Sequence, residues 1–109
     1  MLHIQGVNMV SYEVSVEVEE GLSESFERYM RGKHIPEILA TGCFIAVHFE
    51  RAAPNRFRTR YEAVNRVELD RYLAEHTARF REDFGAHFPS GCLAGREVWE
   101  EVERFIAPR

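Results

Sequence analysis

The stretch Val10-Ser11-Tyr12-Glu13-Val14-Ser15-Val16-Glu17-Val18 decides the fold class. Five apolar positions alternate with four small or acidic ones. Successive side chains of a strand point to opposite faces, so this pattern predicts a strand buried on one side only. A strand of that kind belongs to an antiparallel sheet with one covered face. Glu19-Glu20-Gly21 ends it. Ser23 is then an N-cap candidate, Glu24 and Glu27 suit the positive end of a helix, and Leu22, Phe26, Tyr29 and Met30 form its apolar stripe. Gly32 and Pro36 weaken that helix. Pro36 biases Ile35 away from helical backbone and should open a short second helical turn through Ala40.

Further along, residues 43–50 read as strand two, 52–55 as a turn and 56–63 as strand three, together a hairpin. In strand three, Phe57, Thr59 and Tyr61 face inward, and Arg56, Arg58, Arg60 and Glu62 face outward. Strand two fits either parity. Asn65 caps the second long helix, with Glu68 placed as a capping-box partner. Leu69, Tyr72, Leu73, His76, Phe80 and Phe84 form its stripe. A loop, residues 85–91, leads to strand four from Leu93 to about Glu103. The order is β-α-β-β-α-β, an α+β ferredoxin-like arrangement: a four-stranded antiparallel sheet with two helices on one face. The other face carries charges of both signs, which suits a second copy of the chain or plain solvation.

Size and composition set bounds. The chain has 109 residues and is 45% hydrophobic, enough for one domain over residues 10–109. Residues 1–9 are unlike the remainder of the chain and read as an extra arm or the product of an upstream start. The net charge of −4, from 18 acids and 14 bases, argues against a nucleic-acid partner. No apolar run reaches the ~18 residues of a membrane span. Cys43 and Cys92 form no paired motif, which points to reduced thiols in the cytoplasm.

No strong catalytic motif is present. His34 continues the first helix stripe, and at a helix end it would be favoured as a cation and able to exchange protons. The plainer reading is a helix-end residue capping carbonyls. His48 shares parity with the polar sheet face, beside Arg60 and Glu13, and with Tyr12 and Tyr61 is a candidate pocket-lining residue. His76 lies on an apolar stripe, as a packed histidine or a pocket residue, with Glu75 poorly placed to orient it. Arg51, Arg56, Arg58 and Arg60 suit an anion or an ordinary charged edge. No HExxH or paired-cysteine spacing marks a metal site, and no nucleotide or cofactor motif appears, so no cofactor is expected.

The run His34-Ile35-Pro36-Glu37-Ile38-Leu39-Ala40-Thr41-Gly42-Cys43-Phe44, after Tyr12-Glu13-Val14, resembles a bacterial family of about 100-residue proteins of unknown function. Tyr72-Leu73-Ala74-Glu75-His76, with Arg79 and Arg81, resembles that family's second segment. The family is similar to the dimeric α/β-barrel superfamily, and His34-Ile35-Pro36 to a pattern in its EthD-like members. The resemblance implies a homodimer with a pocket between sheet and helices. It implies no particular reaction, because chemistry resides in the site rather than the fold. There are two functional expectations. One is a cofactor-independent enzyme or binder of a small molecule, with His34 as acid or base; such a site ordinarily needs roughly 300 Å³ or more. The other is a non-catalytic, homodimeric regulatory or interaction module.

Overall fold

The computed structural model describes residues 9–109, so the arm reading of the first residues lies, Met9 apart, outside it. Four strands form one antiparallel sheet in the order β2-β3-β1-β4. They are β1 (Val10–Val18), β2 (Ala46–Ala53), β3 (Arg56–Ala63) and β4 (Cys92–Glu100). Between them run α1 (Ser23–Tyr29), a π-helical turn (Met30–His34), α2 (Ile35–Leu39), α3 (Arg66–Glu75) and α4 (Thr77–His87). This is the expected β-α-β-β-α-β order, with each long helical segment interrupted once.

The alternation in β1 sets the faces. Tyr12 pairs with Tyr61 and with Val98, and Val14 with Thr59 and with Arg96. Val10, Tyr12, Val16, Val18, Phe57, Thr59 and Tyr61 are buried beneath the helices. Directly paired residues share a face, so Glu13, Arg60 and Glu97 lie together on the opposite one. The β2 register, with His48 opposite Arg60 and Glu50 opposite Arg58, puts these two on that second face as well.

Several local expectations are corrected. Ser23 is the first helical residue, and Leu22, with no side-chain cap bond, holds the cap position. Ile35 is helical (φ −65°, ψ −48°), and its N–H reaches back five residues to the Met30 carbonyl. The wide turn thus ends one residue before Pro36, whose missing N–H falls where the helix changes register. β2 starts at Ala46 rather than Cys43. The Thr41 hydroxyl donates to the Ile38 carbonyl and accepts from the Cys43 N–H, holding Cys43 and Phe44 in a buried turn. β2 runs on to Ala53 with a bulge after Arg51, and only Pro54 and Asn55 remain for the hairpin turn. The loop after α4 begins past His87, and β4 ends at Glu100, leaving Val102, Phe105 and Ile106 exposed.

The Asn65 cap is formed: its Oδ1 accepts from the Glu68 N–H at 3.0 Å. The Glu68 carboxylate, however, accepts from Arg71 instead of closing a capping box. The second long helix breaks at His76 (φ −126°, ψ −30°).

The core has two clusters. One gathers Tyr12, Ile38, Phe44, Tyr61, Leu69, Tyr72 and Phe80. The other gathers Val16, Val18, Phe26, Tyr29, Met30 and Phe57. Val14 touches both. Both helical irregularities, the π turn and the break at His76, lie above the seam that Val14 marks.

Candidate functional site

A cavity of about 50 Å³ opens over that seam. Its floor is Tyr12, Val14 and Val16 of β1 with Tyr61 of β3. The π turn supplies Met30 and His34 at its two ends, and the segment after the His76 break supplies Thr77, Phe80, Arg81 and Phe84. On the remaining side Ala94 and Arg96 of β4 complete the lining, and both are exposed because no helix covers β4. The cavity is therefore open along β4. Its volume holds a few waters, well under the few hundred cubic ångströms usual for a ligand site. A larger ligand must extend outward over Ala94 and Arg96.

His34 is held from one side. Tyr29 and His34 are five residues apart, which on a regular α-helix turns them about 140° from one another. The π turn brings them together: the Tyr29 hydroxyl lies 3.2 Å from His34 Nδ1. That hydroxyl donates its only proton to Asp83 Oδ2 at 2.7 Å. His34 Nδ1 must then carry a proton and donate to the tyrosine oxygen, and Nε2 is left as an unprotonated acceptor. Lys33 also donates to Asp83 Oδ2, at 2.9 Å, and this fixes the carboxylate.

The electrostatics agree. Burial pushes His34 down from 6.5 to about 4, against the opposing pull of Asp83 and Glu37 and with small help from Lys33 and His87. The expected helix-end cation is thus corrected to a neutral imidazole. The helix does not end at His34, so no carbonyls are left free for it to cap. Phe80 and Phe84 lie 6.0 and 5.9 Å from the His34 ring, an apolar setting that disfavours charge. Asp83 is held below the usual carboxylate range by the Lys33 and Tyr29 hydrogen bonds. Burial raises the Tyr29 and Tyr61 hydroxyls and pushes Tyr72 up to about 12, so all three stay protonated near neutrality.

Of the residues singled out in the sequence, the structure brings His34, Tyr12 and Tyr61 to the cavity. His48 is on the second sheet face, its Nε2 3.2 Å from Glu62, and does not line the cavity. His76 sits at the helix break outside the lining. Its Nδ1 accepts from Arg79 at 2.8 Å, and the break lets Glu75 come within 3.8 Å of Nε2. Cys43 is buried. Three of the four hairpin arginines are paired on the surface, Arg51 with Glu27, and Arg58 and Arg60 with Glu50, while Arg56 is exposed. Among the described residues no three His, Cys, Asp or Glu side chains converge as metal ligands would.

The sequence did not mark Tyr29 and Asp83 as partners of His34, since only the π register makes that contact. Arg81 has no role by sequence beyond its place in the second family-like segment; in the structure its Nη2 donates to the Tyr12 hydroxyl at 3.2 Å.

The model of a family described as a domain of unknown function, DUF4286, matches residues 9–102. Comparison with curated proteins found no match. Similar solved structures include a protein of unknown function from Nitrosomonas europaea, at TM-score 0.67 and 12% identity, covering 94% of this chain and 98% of that one. SnoaB, a cofactor-independent oxygenase from Streptomyces nogalater, superposes with TM-score 0.65 at 16% identity, over 94% of this chain and 99% of its own. A dimeric ferredoxin-like protein from an uncultured marine organism gives 0.64 at 15%, over 90% and 98%. At these identities the likeness establishes the ferredoxin-like fold and nothing about chemistry.

Proposed function

This chain belongs to the DUF4286 family, a domain of unknown function, and we propose that it binds and acts on a small organic molecule without a cofactor, using the cavity between sheet and helices. His34 is the proton acceptor. Tyr29 and Asp83 are positioning residues that hold its tautomer, and Tyr12 and Tyr61 form the floor. The observation that carries this reading is a neutral imidazole lining an open, aromatic cavity with Nδ1 engaged by Tyr29 and Nε2 left as acceptor. A partly buried base of low proton affinity needs a substrate proton made acidic by neighbouring groups, and aromatic walls favour a flat, conjugated one. The cofactor-independent oxygenase among the similar structures is consistent with chemistry of this kind. The test is a thermal-shift screen of small organic acids, phenols and ketones, followed by histidine nitrogen spectra of the hits. Compounds that raise Tm and move the His34 resonances support the reading. If every hit leaves His34 unmoved, the reading fails in favour of a non-catalytic interaction module.

The same proposal includes a homodimer, formed by a second copy packed on the uncovered sheet face, and a cytoplasmic location. Trp99 and Leu93 lie on that face, 55% and 72% exposed. Glutamates 13, 17 and 97 and arginines 58 and 60 surround them with both signs. One similar structure is itself described as dimeric. Cys43 and Cys92 are free thiols, in keeping with a reducing compartment. Light scattering should give twice the chain mass of 12.7 kDa, and Trp99→Glu should halve it. A monomeric wild-type protein at micromolar concentration refutes the dimer.

A further inference from the structure

The polar groups around the cavity specify its ligand more narrowly than a small organic molecule. We infer that the site takes an aromatic organic acid, its ring against the tyrosine and phenylalanine walls and its carboxylate at Arg81 and Arg96. This rests on the proposed ligand-binding role of the cavity and names the class of ligand.

The chain carries 18 acids against 14 bases, yet the lining holds two arginines and no carboxylate. Among the described residues no carboxylate lies within 4 Å of either arginine, although most other arginines of the chain are paired. Arg81 makes one hydrogen bond, to the Tyr12 hydroxyl, and most of its five donors remain for a ligand. Asp83, on the same helix as Arg81, is already paired with Lys33 and hydrogen-bonded by Tyr29. Glu97 is next to Arg96 in sequence but lies on the other sheet face, opposite Glu13. The open side of the cavity is therefore locally positive on an acidic protein, and the arginine fork suits a carboxylate.

The walls exclude a purely inorganic anion as the fitting occupant. Tyr72 and Phe80 are stacked at 6.2 Å with an interplanar angle of 11°, and Tyr12 is 6.1 Å from both Tyr61 and Tyr72. Such surfaces gain from a flat ring and gain nothing from phosphate. The shape of the site agrees: the deep part is small and aromatic, and the charged groups stand at its exposed rim. At about 50 Å³ the deep part is too small for a ring, so the ring lies outward over Ala94 against the aromatic rim and its acid group stays with the arginines.

The experiment compares benzoate with benzamide, its neutral isostere, by backbone amide titration of the full chain at low salt. Benzoate should shift the amides of Thr77, Arg81 and Arg96 and bind at least tenfold more tightly than benzamide. In an Arg81→Gln/Arg96→Gln double variant the two should bind equally. Equal affinities in the wild type, or a preference that survives in the double variant, overturns the inference. Benzamide alone at the cavity overturns the anion assignment and leaves the ligand-binding reading intact. Neither probe at the cavity also overturns the inference, while the broader screen still judges the pocket itself.

Discussion

Replacing His34 by glutamine should flatten the acid limb of the stability curve. His34 binds protons with a pKa near 4 in the folded chain and near 6.5 when unfolded. Between those values the unfolded chain holds more protons than the folded one, so stability is complete above about pH 6.5 and falls as the pH drops toward 4. The displacement corresponds to about 3 kcal/mol at ~1.4 kcal/mol per pH unit, or about 2–3 kcal/mol when partial solvent access is allowed for. The groups that act on the imidazole are Asp83 and Glu37, which favour its charge, and Lys33 and His87, which oppose it; burial outweighs them all. Glutamine keeps a side-chain donor for the Tyr29 oxygen and does not titrate. Urea unfolding of both proteins from pH 7.5 to 4 isolates the histidine, because the carboxylates common to both cancel in the difference. The wild type should lose about 2–3 kcal/mol more than His34→Gln over that range. Parallel curves would mean that His34 is not buried as the neutral form.

Other substitutions probe the frame around the site. Tyr29→Phe leaves the Nδ1–H of a partly buried imidazole without its acceptor and Asp83 without one donor; chemical denaturation should show a loss of roughly 1–3 kcal/mol. Gly91 has φ +85°, and a Cβ there would lie 2.5 Å from the Leu22 side chain, so Gly91→Ala should lower stability by about 1–3 kcal/mol, read as a fall in Tm. Asn65→Ala removes the cap on the Glu68 N–H and should cost about 1 kcal/mol in the same assay. Phe26, fully buried among Phe49, Phe57, Phe84 and Phe88, should cost roughly 3–5 kcal/mol when cut to alanine.

The sheet was legible where one face alone is apolar. In β1 and β3 a one-residue slip would expose every valine or aromatic, so parity fixes both register and facing. In residues 43–50 both parities carry apolar side chains, and the strand start could not be read from them; it depends on the turn built by Thr41. The Asn65 cap was legible because its chemistry is local. The two helical irregularities were not. Gly32 and Pro36 signalled weakness near residue 34, but whether a helix ends or widens there depends on packing against α4. The positioning of His34 depends on that widening, and Asp83 reaches it from a distant part of the chain. A histidine near a helix end reads from sequence as a cation; burial in the folded chain reverses the sign.

The proposed role of His34 stands or falls on the nitrogen spectrum of its imidazole in the wild-type protein at pH 7. The expected spectrum is that of a neutral ring with a pyrrole-like, protonated Nδ1 and a pyridine-like Nε2 free to accept a proton from a ligand. A protonated imidazolium, or a neutral ring carrying its hydrogen on Nε2, would be incompatible with that role and would remove the base from the proposed site.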